Sequence, residues 1–269
     1  MGNYIALDAN DRIVSPLAIG TDATFIEDGW KGLQARPLDE TVIFRSMSQR
    51  KTVNVCNAQN RNYLYIDTGY IGNMQKRKDW HRIVHNGMQH SNINWDLPND
   101  RFEALAEAKP YLRFPGWKKD GTAILLVTPS DKPCKFYGIN RDDFVNSTIE
   151  KIRQHTDRPI IIRDKVIRRD RVGLGSIYNQ LDDDNIFAVV TYNSIAATEA
   201  VGYGVPCFTL APNAADFFCE KDLSKIETPK YAVADYVNRW QNWLAYCQYT
   251  PSEMQDGTAL NLIKEHNLS

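Results

Sequence analysis

The residues with the clearest chemical potential lie between Val190 and Pro206. A β-branched run ends there in Asn193-Ser194, and Glu199 follows five residues after the serine. This order predicts a buried strand that passes directly into a helix, so main-chain N–H groups and the positive end of the helix dipole face the strand end. A phosphate would bind there, and the carboxylate one turn later can accept two hydrogen bonds from a ribose diol. A capped helix with a surface glutamate is the plain alternative.

A dense group of cations lies in residues 151–171, which hold eight Lys or Arg and only three Asp. The whole chain has 32 basic and 33 acidic residues, for a net charge of −1. Positive charge after a strand end at Arg163 suits a loop that binds phosphates, either those of a small donor or those of a nucleic-acid backbone. A solvated loop is the alternative. The candidates are Arg163 and Lys165 for the donor, and Arg168 and Arg169 for nucleic acid.

A second basic patch begins at Lys76 and is interleaved with aromatic and imidazole side chains. In such a patch, the cations can contact the phosphates along a nucleic-acid strand, and the rings can stack on a base that has been extruded from the helix. Three of the five histidines of the chain lie within ten residues of one another here, at His81, His85 and His90. The candidate nucleic-acid-binding residues are Lys76, Arg77, Lys78, Trp80, His81 and Arg82.

The elements that must position these residues are clearest in the second half of the chain. Apolar runs at 123–128, 159–163, 186–191 and 205–210 alternate with helical patterns at 142–155, 175–181 and 194–200. This alternation predicts a parallel α/β sheet, whose ligands lie beyond the carboxyl ends of its strands. Ser130, Arg163 and Asn193-Ser194-Ile195 follow such ends.

The rest of the chain is less regular. Strands are predicted at 41–45, 53–56 and 63–67, a short helix at 102–108, an amphipathic helix at 232–249, and a last helix after the capping box that starts at Thr250. Three prolines in 94–115 suggest a linker. We therefore predict two domains, 1–118 on the acceptor side and 119–269 with a helical tail.

Composition excludes several classes of protein. The 269 residues are 43% hydrophobic and 24% charged, which excludes a disordered chain and a fibre. Five scattered cysteines indicate neither a disulfide framework nor a zinc site. The sequence shows no signal peptide or membrane span, so we expect a soluble cytoplasmic protein without a membrane partner. The run Asp182-Asp-Asp184 is interpreted as solvated loop, not as a metal site.

The stretch from Val190 to Pro206 resembles the donor half of GT-B-fold glycosyltransferases. Residues 123–258 further resemble phage-encoded glycosyltransferase-like proteins, through Thr156–Arg163, Val190–Ala197, Gly204-Val-Pro206 and Gln248-Tyr-Thr250 with Gly257-Thr258. The resemblance implies a GT-B-like pair of Rossmann-like domains that uses a nucleotide sugar, expected to be UDP-linked, as co-substrate and needs no other cofactor or metal. It further implies that Ser194 and the following amides hold the diphosphate, Glu199 the ribose, and Arg163 the phosphates.

Transfer requires a base that removes the proton of the acceptor hydroxyl. Asp67, at the end of a predicted strand in the first domain, is the first candidate, and His85 is the second. We favour hydroxymethylated pyrimidine in phage DNA as acceptor, since binding to DNA would account for the two basic patches. A polysaccharide or lipopolysaccharide acceptor, a sugar-nucleotide 2-epimerase and a non-enzymatic nucleic-acid-binding protein are the alternatives.

Overall fold

The computed structural model describes residues 3–73, 78–164 and 177–268. The chain folds into two compact units. The first comprises Met1–Arg101 together with Asn242–Ser269, and the second comprises Phe102–Gln241. The carboxyl-terminal residues therefore belong to the same unit as the amino-terminal ones.

The first unit contains a six-stranded sheet in the order β10-β5-β4-β3-β1-β2. Strands β1 to β4 are parallel to one another, whereas β5 is antiparallel both to β4 and to β10. Their bounds are Tyr4–Leu7 (β1), Thr24–Ile26 (β2), Thr41–Arg45 (β3), Tyr63–Thr68 (β4), His81–His85 (β5) and Gln248–Tyr249 (β10).

Helices at both ends of the chain pack on this sheet. They are α1 (Val14–Gly20), α2 (Arg50–Ala58), α9 (Pro251–Gln255) and α10 (Thr258–Glu265). One buried cluster joins Leu17 of α1 and Ile43 of β3 to Tyr249, Met254 and Ala259 from the carboxyl-terminal residues. The predicted capping box before α9 is confirmed, with Thr250 and Glu253 exchanging hydrogen bonds.

The second unit contains a four-stranded parallel sheet in the order β7-β6-β8-β9. The strands are Ala123–Val127 (β6), Ile160–Arg163 (β7), Ile186–Thr191 (β8) and Cys207–Thr209 (β9). The helices associated with it are α4 (Asp131–Tyr137), α5 (Arg141–Arg153), α6 (Ile177–Asp183) and α7 (Ala196–Gly202). Two further helices, α3 (Asp100–Ala108) and α8 (Ala234–Tyr246), contain the two points where the chain passes between units.

The strand order places the reversal of winding between β6 and β8. The chain goes from β6 to β7 on one side, and then back across to β8 and β9. Because such crossovers are right-handed, the β6–β7 connection and the later connections lie on opposite faces of the sheet. A crevice opens at such a switch point, beyond the carboxyl ends of the two strands.

The predicted α/β class with parallel sheets is confirmed, whereas the GT-B arrangement of two domains stays a prediction. The predicted strand at 53–56 is wrong, since these residues lie in α2, where Val53 and Cys56 are buried three positions apart as on one helical face. The units also differ from the predicted domains 1–118 and 119–269. Trp117 and Lys118 hydrogen-bond to Ala232 and Gly204 of the second unit, and β10 completes the sheet of the first.

Candidate functional site

The crevice of the second unit is bordered by the residues that follow β6 and β8. Val127 and Thr191 are paired at the ends of these strands, and the Thr191 hydroxyl donates to the Val127 carbonyl at 3.3 Å. Ser130 follows β6, and Asn193-Ser194 follow β8, as the sequence predicts. These predicted donor residues therefore lie at the edge of the sheet where ligands of doubly wound folds bind.

The turn between β8 and α7 is held by its own polar groups. The Ser194 hydroxyl accepts a hydrogen bond from the Ala196 N–H at 3.1 Å, and the Ser194 carbonyl accepts one from the Asn213 side chain at 2.9 Å. Ile195 has helical backbone angles, and α7 itself is seven residues long. The Ser194 hydroxyl thus stabilises the turn that precedes α7, whereas the N-cap residue of the helix, Ile195, provides no side-chain cap.

Arg163 and Glu199 influence each other electrostatically although they lie 36 positions apart in the sequence. Burial lowers the pKa of the Arg163 guanidinium, and the Glu199 carboxylate acts in the opposite direction, so the two charges are within electrostatic reach. Arg163 also donates to the Gln180 side-chain oxygen at 2.5 Å, and the Gln180 amide donates to Asp184 at 3.0 Å. The end of β7 and the helix that follows β8 therefore carry a guanidinium and a carboxylate within electrostatic reach of each other.

Three tyrosines are joined by ring contacts, two of them within electrostatic reach of Glu199, and sequence reasoning missed all three. The rings of Tyr111 and Tyr178 lie 4.9 Å apart, and those of Tyr178 and Tyr203 lie 5.3 Å apart. Burial, followed by the Glu199 carboxylate, raises the pKa of both Tyr111 and Tyr178. Residues at 111, 178 and 203 share no spacing pattern, so the sequence carries no signal for this group.

In the first unit, Asp67 lies near the carboxyl end of β4 as predicted. Its carboxylate accepts from the Tyr65 hydroxyl at 2.5 Å and from the Thr68 N–H at 2.7 Å, and Arg82 lies 3.5 Å away. Burial by itself would raise the pKa of Asp67, but Arg82, Tyr65 and the Thr68 N–H together hold it below its ordinary value. Asp67 is therefore an ionised carboxylate fixed in orientation.

A second charge pair, which sequence reasoning did not identify, borders the same edge of this sheet. Arg45, the last residue of β3, binds Asp11 at 3.0 Å, and Asp11 also accepts from the N–H groups of Ile13 and Val14. The next residue, Ser46, has φ 81° and ψ 139°, a strained conformation for a residue with a side chain. Strain next to paired charges marks this edge as a candidate functional surface.

The other predicted residues of the first unit lie in different environments. His85 pairs with Leu64 at the opposite end of the strand pair, three positions and about 10 Å from Asp67. His81 and Arg82 are 1% and 4% exposed, so neither has the free surface that a phosphate contact requires. Lys78 and Trp80 are half-buried, and Arg101 lies over the Trp80 ring. The remaining predicted cations, Lys76, Arg77, Lys165, Arg168 and Arg169, lie outside the described residues.

Among residues 3–73, 78–164 and 177–268, no group of three or more His, Cys, Asp or Glu could hold a metal ion. Of the acidic run, Asp182 accepts from the Tyr203 hydroxyl at 2.5 Å and Asp184 accepts from Gln180. Within the same ranges, every helix is too short or too polar to cross a membrane.

Comparison with known proteins gives a fold likeness and no sequence match. No protein-family model and no curated protein matches the chain. Among solved structures, it is similar to the KpsC beta Kdo 2,4 transferase of Thermosulfurimonas dismutans, with TM-score 0.55, 11% identity and 98% of each chain covered. It is also similar to the KpsC beta Kdo 2,7 transferase of that organism, with TM-score 0.52, 11% identity, and 88% and 89% covered. The chain thus has a glycosyltransferase-like fold.

Proposed function

We propose that the protein is a glycosyltransferase whose second unit binds a nucleotide-sugar donor. The observation that carries the proposal is the electrostatic coupling of Arg163, at the end of β7, to Glu199, on the helix that follows β8, on the side of a doubly wound sheet where the fold places ligands. The likeness to two Kdo transferases supports it, since the same fold performs sugar transfer in those proteins.

The proposed donor contacts follow from the chemistry of each side chain. The Glu199 carboxylate accepts hydrogen bonds from the ribose hydroxyls. The planar Arg163 guanidinium carries five N–H groups, a geometry that suits paired hydrogen bonds to phosphate oxygens. Tyr111 is 42% exposed and is backed by Tyr178, so its free surface can stack a nucleobase. Ser194 and the Ile195 N–H complete the predicted phosphate contacts.

For the acceptor side, we propose Asp67 as the group that takes the hydroxyl proton. The acceptor oxygen then forms a bond to the anomeric carbon as the bond from that carbon to the nucleotide breaks. Asp67 is favoured over His85 because it lies at the carboxyl edge of the parallel strands, whereas His85 lies at the opposite end. A carbohydrate hydroxyl is the proposed acceptor, since the described residues give no exposed cationic surface for DNA at His81 and Arg82.

The proposal is tested by donor binding and by transfer. Calorimetry with UDP-, GDP-, dTDP- and CMP-linked sugars identifies the donor. Glu199→Ala should then weaken its binding by about 1.5 to 3 kcal/mol, the usual range for a hydrogen bond to a charged group. Glu150→Ala, an exposed glutamate on α5, is the matched control and should leave affinity unchanged. Equal affinity of both variants would remove Glu199 from the site.

Transfer is measured as nucleotide release with saccharide acceptors, with hydroxymethylated DNA, and with no acceptor. Asp67→Asn should abolish release that depends on an acceptor while donor binding is preserved, and full activity of the variant would exclude Asp67 as the base. Release only with the modified DNA would restore the DNA acceptor. Epimer formation from the donor alone would instead identify an epimerase. A parallel reaction in EDTA tests the proposed independence from metal.

A further inference from the structure

A cavity of about 360 Å³ opens beside α5. It lies at the carboxyl ends of β6 and β7 and at the first two turns of α5. The β6–β7 connection occupies the face opposite to that of α6 and α7, and the cavity is lined by residues other than the proposed donor contacts. Its lining consists of Thr128, Arg141, Asp142, Val145, Asn146, Ile162 and Asp164.

Hydrogen bonds fix the polar wall of the cavity in place. The Thr128 hydroxyl donates to Asp164 at 2.7 Å, and the Arg141 Nε donates to the Pro129 carbonyl at 3.0 Å. The Arg141 guanidinium also pairs with Asp131 and lies 4.0 Å from Asp164. A ligand would therefore meet side chains that are already oriented, which reduces the entropy lost on binding.

The other part of the wall is aliphatic. Ile162 is 48% exposed on β7, and Val145 is partly buried and packs against the core cluster of the second unit. An aliphatic surface beside carboxylate, amide and guanidinium groups matches a sugar ring, whose C–H faces are apolar and whose edge carries hydroxyls. Two lining carboxylates against one guanidinium, itself paired with Asp131, disfavour an anionic ligand.

We propose that this cavity is a binding subsite for a neutral saccharide. Asp142 and Asp164 accept hydrogen bonds from its hydroxyls, Asn146 donates and accepts, and Ile162 contacts a face of the ring. The sugar comes either as a free saccharide or as the sugar part of a nucleotide donor, and both present the same chemistry to the wall. Binding of a free saccharide requires no transfer, so this proposal can hold or fail independently of the proposed activity.

Neighbouring aspartates on α5 provide a matched pair of variants. Asp142 and Asp143 are both exposed in the first turn of α5, and the N–H groups of both donate to Asn140. Only Asp142 of the two lines the cavity. Asp142→Asn and Asp143→Asn therefore each remove one negative charge from the first turn of α5. Only Asp142→Asn also changes a side chain that contacts the proposed ligand. Ile162→Thr, which keeps a β-branched residue on the strand, tests the aliphatic wall.

The experiment is saturation-transfer NMR titration of the full chain with methyl glucoside, methyl galactoside, N-acetylglucosamine, UDP-glucose and UDP. Asp142→Asn should weaken the binding of at least one sugar probe about tenfold, the loss expected for one hydrogen bond to a charged group. Asp143→Asn should bind that probe as the unchanged protein does, and Ile162→Thr should bind it more weakly.

The probes separate the two sources of the sugar. An effect on the free glycosides identifies a free saccharide as the occupant, and an effect on UDP-glucose alone, without one on UDP, identifies the sugar of a donor. The proposal is overturned if no sugar probe binds, or if the two aspartate variants bind every probe equally. Binding of UDP that none of these variants changes would keep the donor site of the proposed function even in that case.

Discussion

Removal of the Gln248 side chain should loosen the loop that follows Asp67. Gln248 lies on β10 and is fully buried. Its side-chain oxygen accepts from the N–H groups of Tyr70 and Ile71 at 2.7 and 3.1 Å, and its amide donates to the Ile71 carbonyl at 3.0 Å. One side chain from the end of the sequence thus satisfies three main-chain groups of this loop.

The magnitude follows from these three bonds. At about 1 kcal/mol for each net hydrogen bond, Gln248→Ala should cost about 3 kcal/mol, because two buried N–H groups and one carbonyl lose their partner. Since 1.4 kcal/mol corresponds to a factor of ten, the protection of the Tyr70 and Ile71 amides against exchange should fall about 100-fold. This loop begins two residues after Asp67. The loss of protection in Gln248→Ala should therefore be accompanied by a change in the environment of the Asp67 side chain, even when no donor is bound.

Amide hydrogen exchange at Tyr70 and Ile71 measures this effect directly. The control is Gln241→Ala, which removes another buried glutamine whose amide donates to the Leu112 carbonyl at 2.7 Å in the second unit. That variant should cost about 1 kcal/mol and leave the amides of Tyr70 and Ile71 protected. A decrease of less than tenfold in Gln248→Ala, or an equal decrease in both variants, would refute the reasoning.

Two further predictions concern the titrating groups of the first unit. Arg82→Met removes the cation nearest Asp67, so the pKa of Asp67 should rise, which a carbon-detected NMR titration of its carboxyl can follow; an unchanged titration would show that Arg82 does not control it. Burial lowers the pKa of His81 from 6.5 to about 4, so between these values only the unfolded chain binds the proton and stability falls as the pH decreases. Between pH 7 and pH 5, the free energy of unfolding measured in urea should decrease by about 2 kcal/mol less in His81→Leu than in the unchanged protein. An equal decrease in both proteins would contradict this.

The sequence predicts the second unit well because three of its four strands, β6, β8 and β9, are buried on both faces. Ile186–Thr191 is a continuous run of apolar and β-branched residues, and the predicted strand matches the observed one. The helix that follows it starts at Ala196, slightly later than predicted, since the Ser194 side chain caps a turn before the helix begins.

The first unit is harder to predict because contacts distant in sequence decide its elements. His81–His85 is a strand with charged and imidazole side chains, and it becomes buried because β4 and β10 flank it on both sides. Gln248–Tyr249 continues a helical pattern in the sequence, yet it ends as a strand because it completes the sheet edge beside β5. Neither outcome is visible in local periodicity.

The candidate site shows the same division. Arg163, Ser194 and Glu199 could be selected because each follows a predicted strand, and parallel strands bring their carboxyl ends together. Tyr111 could not, since its position beside Glu199 depends on how the segment after α3 packs within the second unit. Residues that terminate regular elements are therefore predictable, and residues delivered by irregular segments are not.

The placement of β10 has a consequence for how the protein is made. The second unit is continuous in the chain, so all of its residues have been synthesised before Gln248 leaves the ribosome. The first unit starts earlier in the chain but is completed later, since the edge strand β10 is translated only after the whole second unit. The unit whose translation begins earlier should thus mature later, and the exposed flank of β5 is the surface that a chaperone would need to shield during that interval.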